Sequence, residues 1–108
     1  MNHKLTFHIP HVAFENNQYT NIPYEDFENA FGEKLMEIGI EGYHIISAIG
    51  FYKGRKYPQD LLSVFCTFEQ QKNVISAYKN TLTNYHHKMK QEVYAYEHDG
   101  VLSIMEIE

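Results

Sequence analysis

Residues 43–68, YHIISAIGFYKGRKYPQDLLSVFCTF, decide the fold. Ile45, Ile46 and Ile49 fit a pleated surface, so Tyr43 to Tyr52 reads as a strand. Lys53 to Asp60 holds Gly54 and Pro58 and reads as a loop, and Leu61 to Phe68 reads as a second strand. The two pair most simply as an antiparallel hairpin with a long tip. Both carry large apolar groups on both faces, with Leu62, Val64, Cys66 and Phe68 on one side and Leu61 and Phe65 on the other. A sheet with one face in water alternates more cleanly than this.

Helical periods flank this hairpin. On its N-terminal side Tyr24, Phe27, Phe31, Leu35 and Ile38 form a stripe, with Glu28, Glu33 and Glu37 placed away from it. Asn21 can cap this helix, Pro23 suits its first turn, and Gly39 followed by Ile40 suits a left-handed C-terminal cap. On the other side Glu69 opens a longer helix, running to about Lys88, on the stripe Val74, Ile75, Tyr78, Leu82, Tyr85 and Met89.

Leu5, Phe7 and Ile9 make a half-buried first strand that Pro10 ends, bulges or confines to an edge. The polar stretch Glu15 to Gln18 reads as a loop. At the other end Asp99-Gly100 suits a type I′ turn, which pairs Tyr96 with Ser103 and Tyr94 with Met105. The order is β-α-β-β-α-β with an extra C-terminal hairpin strand. That predicts an α+β two-layer sandwich, an antiparallel sheet with two helices on one face. This order resembles the ferredoxin-like superfold, and its self-covering form resembles the dimeric α+β barrels. The resemblance rests on element order and implies a choice among cofactor-independent oxygenases, haem-degrading enzymes and ligand-sensing modules.

The 108 residues suit a single domain, 1–108. A formal net charge of −5, with Lys53, Arg55 and Lys56 as the one basic cluster, disfavours nucleic acid as a partner. No stretch approaches the roughly 20 apolar residues that span a bilayer, and no apolar leader opens the chain, so a cytoplasmic protein is expected.

Seven histidines raise the question of a metal. His8 and His11 face opposite sides of a regular strand, and His86 and His87 lie about 100° apart on a helix, so no metal and no cofactor are expected. Cys66 sits within an apolar strand and reads as packing. Arg55 and Lys56 are a weak candidate for holding an anion.

The helix-free sheet face is expected to carry His8, Ser63, Phe65, Tyr94 and Tyr96, an aromatic surface with polar tips. A second copy is its economical cover, which makes a homodimer and places any small-molecule ligand on that face. The leading functional expectation is a small binding or regulatory module that self-associates through its sheet. The alternative is a small cofactor-independent enzyme acting on a small organic molecule, with His8 and a tyrosine as the acid–base pair.

Overall fold

The computed structural model describes residues 3–89 and 93–106, with side chains at 3–51, 53–85 and 96–102. Its elements are β1 (His3–Pro10), β2 (Val12–Glu15), β3 (Gln18–Asn21), α1 (Tyr24–Ile38), β4 (Tyr43–Tyr52), β5 (Arg55–Cys66), α2 (Phe68–Met89), β6 (Val93–His98) and β7 (Val101–Glu106). The architecture is α+β: an antiparallel five-stranded sheet in the order β4-β5-β1-β6-β7, two helices, and a separate β2–β3 hairpin.

Cross-strand partners share a face, so the pairs Leu5↔Val64, Phe7↔Leu62 and Phe7↔Tyr96 put these side chains on the helix side. There they meet Phe27, Phe31 and Leu35 of α1 and Val74, Tyr78 and Leu82 of α2 in one buried cluster. Phe7 is its hub, with Phe31 edge-on at 5.1 Å and the Tyr78 ring at 4.4 Å between centroids. Aromatic pairs at these separations add roughly 0.5–1.5 kcal/mol each beyond area burial.

The helix ends follow local chemistry. Gly39 takes φ 96°, and the Ile40 N–H bonds back to the Leu35 carbonyl at 3.0 Å while Ile40 is buried, a left-handed cap closed by an apolar contact. At the head of α1 the capping position is Pro23 with no side-chain bond, and Asn21 ends β3 instead of capping. Thr67 and Gln70 form a reciprocal capping box on α2, each side chain bonding the other's backbone N–H, which stops β5 at Cys66.

Two expected loops are strands. Asn16 and Asn17 sit at φ 54° and 62°, so the polar stretch makes a two-residue turn that joins β2 to β3. Lys53 and Gly54 do the same between β4 and β5, at φ 51° and 76°. Pro58 lies within β5, where its carbonyl accepts the His11 N–H at 3.0 Å. A strand residue aims N and C=O the same way, so the missing N–H of Pro58 lies on the His11 side and the β4 ladder is unbroken.

Candidate active site

A set of polar groups meets at one place, where β1 gives way to the β2–β3 hairpin and α1 begins. Ile9↔Asp60 and Ser47↔Asp60 are cross-strand pairs, so Asp60 and Ser47 point to the helix side of the sheet at its end. Glu28 comes from α1, four residues after Tyr24 and three before Phe31. That spacing turns it inward, not away from the stripe, and it is 8% exposed. Glu33 and Glu37 are exposed, as expected.

Asp60 is the centre. His11 Nε2 donates to its Oδ1 at 2.6 Å, and the Ser47 hydroxyl donates to the same oxygen at 3.1 Å. The Glu28 carboxyl hydrogen-bonds to Asp60 as well, while its Oε2 meets no donor group among the described residues. Two carboxyls in contact need a proton between them. Burial, the hydrogen bond to Asp60 and the charge of Asp60 push Glu28 up to about 8. Burial also pushes Asp60 upward, but the hydrogen bonds from Glu28, His11 and Ser47 outweigh it and hold the group below its ordinary 3.8. At neutral pH Glu28 is therefore the acid and Asp60 the ion. Divergent proton affinities in neighbouring carboxyls mark acid–base roles.

The outermost member is His11. Its ring stacks on Tyr24 at 3.8 Å between centroids with an 18° interplanar angle. Desolvation and the carboxylates of Glu25, Asp60 and Glu28 raise the Tyr24 phenol above its ordinary 10.0. Beside Tyr24 lies a cleft of about 310 Å³ lined by Ile22, Pro23, Tyr24, Glu25 and Asp26. A second cleft of about 480 Å³ runs between the β2–β3 hairpin and the β4–β5 tip, and Arg55 and Lys56 both line it. The Arg55 guanidinium rests over the Phe14 ring at 4.1 Å.

The helix-free face brings together three of its five expected residues. Leu102, Glu97, Thr6, Ser63 and His44 form a row across the five strands. Thr6 and Ser63 are buried in it with their hydroxyls 2.9 Å apart. His8 meets Glu97 at 3.1 Å, not a tyrosine, and Phe65 lies beside His44. Tyr96 is elsewhere: its pairing with Phe7 turns it to the helix side, where the two rings stack at 5.8 Å. Tyr94 has the same strand parity in β6, and its side chain lies outside the described residues. Cys66 is buried, which pushes its thiol up.

At the far end of β1 is a third cluster. The Asp99-Gly100 turn folds onto the start of β1, where the Lys4 N–H donates to Asp99 Oδ1 at 2.7 Å. His3 Nδ1 lies 2.9 Å from Asp99 Oδ2, and His98 Nε2 lies 3.3 Å from the same oxygen. The Lys4 N–H and His3 hold the Asp99 carboxyl below its ordinary 3.8. Sequence spacing could not find this group, because 94 residues or more separate His3 from the other two.

No family model matches this sequence, and no curated protein matches it. Among solved structures it is similar to a phage SAM lyase in the apo state, with a TM-score of 0.62 over 98% of this chain and 90% of that one, at 13% identity. A phage SAM lyase in complex with S-methyl-5'-thioadenosine aligns at TM-score 0.47, 11% identity, 98% of this chain and 88% of that one. The first is a likeness of fold. No helix among the described residues is long and apolar enough to cross a membrane.

Proposed function

We propose that this chain is a small enzyme that acts on a small organic cation by proton transfer at His11. The observation that carries the reading is the chain Glu28–Asp60–His11, two buried carboxyls of which one is protonated and the other holds a partly exposed histidine at 2.6 Å. With His11 Nε2–H donating to Asp60, the other ring nitrogen is left to take a proton from a bound molecule. Asp60 then stabilises the imidazolium, and Glu28 keeps the rest of the carboxylate hydrogen-bonded. In an elimination the electron pair of the broken C–H bond forms the new double bond, and the leaving group departs with its own pair.

Cation selectivity follows from the cleft beside Tyr24, which presents an aromatic ring with Glu25 and Asp26 on its rim. The fold shared with a phage SAM lyase supports a small-molecule reaction and makes SAM the first compound to test. The assay incubates the purified protein with SAM and a panel of organic cations and follows consumption by mass spectrometry. Turnover of a panel member is expected, and His11→Phe, which keeps the stack on Tyr24, lowers kcat by roughly 10²–10⁴. Turnover that survives His11→Phe unchanged sinks the reading.

In fold terms we read the sheet as ferredoxin-like, widened by β7 and carrying the β2–β3 hairpin as an insertion. We also propose that a second copy covers the helix-free face. Ile46, Phe65 and Leu102 are each more than half exposed on it, and edge strand β4 carries no Asp, Glu, Lys or Arg to block pairing. A sedimentation mass of 12.8 kDa at micromolar concentration would count against this part alone.

A further inference from the structure

We propose that His3, His98 and Asp99 form a binding site for a divalent transition metal of the zinc type, with three protein ligands and one open position. The three ligand atoms are mutually close: His3 Nδ1 to Asp99 Oδ2 is 2.9 Å, His98 Nε2 to His3 Nδ1 is 3.2 Å, and His98 Nε2 to Asp99 Oδ2 is 3.3 Å. Ligand atoms about 2.0–2.1 Å from a tetrahedral ion lie roughly 3.3–3.4 Å apart. The triangle is thus one face of a tetrahedron, tightened by a few tenths of an ångström.

Hydrogen bonds alone do not satisfy this triangle. With both ring nitrogens protonated, each can donate to the carboxylate, and two N–H groups then confront one another at 3.2 Å. With only one protonated, a single hydrogen serves three close pairs. A cation at the centre satisfies all three edges, and two imidazoles with a carboxylate are a donor set that suits zinc.

The groups behind the triangle hold it in place. The Lys4 N–H engages Asp99 Oδ1 at 2.7 Å and the Asp99 N–H bonds the Lys4 carbonyl at 2.8 Å, which leaves Oδ2 for the ion. The side-chain amide of Gln71 lies 3.3 Å from His98 Nδ1, while its Oε1 is buried with no partner among the described residues. Turned by 180°, the amide presents Oε1 to accept Nδ1–H, and the Nε2 lone pair is then free for a metal. An orienting partner on the second ring nitrogen is the usual companion of a metal-bound histidine. All three ligands are partly exposed, so an ion can enter.

This site lies at the opposite end of β1 from His11, about 25 Å away along a strand rising ~3.3 Å per residue. Its fate is therefore separable from that of the proposed active site. The test titrates the metal-free protein with Co²⁺ and follows the visible ligand-field bands, then competes with Zn²⁺. One equivalent of Co²⁺ with the intense bands of a four-coordinate ion is expected, displaced by one equivalent of Zn²⁺. His98→Ala and Asp99→Ala abolish the bands, and Gln71→Ala weakens binding by roughly 10–100-fold. His8→Ala, which removes the histidine–carboxylate pair of the helix-free face, leaves the spectrum unchanged. Absence of stoichiometric Co²⁺ uptake overturns the proposal, as do the weak bands of a six-coordinate ion. Uptake that persists in His98→Ala, or is lost in His8→Ala, overturns it too.

Discussion

The Glu28 carboxyl and Asp60 share one proton inside the protein, with Glu28 holding it. Glu28 is pushed from 4.5 up to about 8, so the folded state binds this proton more tightly than the unfolded chain. Its stabilisation is complete below about pH 4.5 and is lost as pH rises through about 8. Asp60 acts in the other sense, because its folded value is lowered: its contribution is present above 3.8 and lost as pH falls. Glu28→Gln mimics the protonated acid and cannot ionise. Its melting temperature should decline less between about pH 5 and 8 than that of the parent. Parallel declines in parent and variant would mean that Glu28 does not hold the proton.

Of the side-chain hydrogen bonds that Asp60 accepts from His11 and Ser47, the one from His11 is the shorter. His11→Phe preserves the ring on Tyr24 and deletes the 2.6 Å hydrogen bond. Bonds to charged groups contribute about 1.5–3 kcal/mol, so urea unfolding near neutral pH should show a loss of that size. A loss below about 0.5 kcal/mol would indicate that water replaces the ring without penalty.

Much of the scaffold was legible in the sequence. The two stripes, the Gly39 cap and the Asp99-Gly100 turn depend on neighbours within a few residues, which periodicity and propensity report directly. What escaped was non-local or fell to a polarity shortcut. Polarity sets Glu28 outside its stripe, although its angle from Tyr24 and Phe31 puts it inside. The Asn16-Asn17 pair reads as a polar loop by composition, although Asn tolerates positive φ and two of them in succession suit a type I′ turn. Sequence alone does not separate Tyr96 from the His8 face, because the register between β1 and β6 cannot be read from either strand by itself. The acid–base chain draws on α1, β4, β5 and the junction after β1, so no linear spacing announces it.

Asn17 tests the unforeseen hairpin. At φ 62° it occupies the left-handed region, where glycine is at ease and a β-branched residue is not. Asn17→Gly should keep or raise the melting temperature, whereas Asn17→Val should lose about 1–3 kcal/mol. Because the Ile22 N–H bonds the His11 carbonyl at 2.9 Å at the open end of this hairpin, the valine variant should also loosen His11. Equal stability of the two variants would remove the turn.

Tyr96 tests its place on the helix side. Its ring stacks on Phe7, which is fully buried at the hub of the aromatic cluster. Tyr96→Ala opens a void beside that hub and should cost about 2–4 kcal/mol, with Tyr96→Phe nearly neutral. A surface tyrosine on the helix-free side would give a change within about 0.5 kcal/mol, so the size of the loss reports the face.

Gly100 separates backbone strain from steric conflict. It sits at φ 87° behind Asp99 at φ 50°, the pair of positive angles that a two-residue turn between β6 and β7 requires. A Cβ built at Gly100 meets nothing within 4 Å among the described residues, so a substitution has room there and the penalty comes from the backbone. Gly100→Val should cost about 1–3 kcal/mol for this reason, and Gly100→Asn, which tolerates the left-handed region, distinctly less. The ordering follows from conformational preference and not from size, since Asn and Val are of similar bulk. An equal loss for both would point to a neighbour in the space beside the turn, and no loss in either would mean that the turn adopts negative φ.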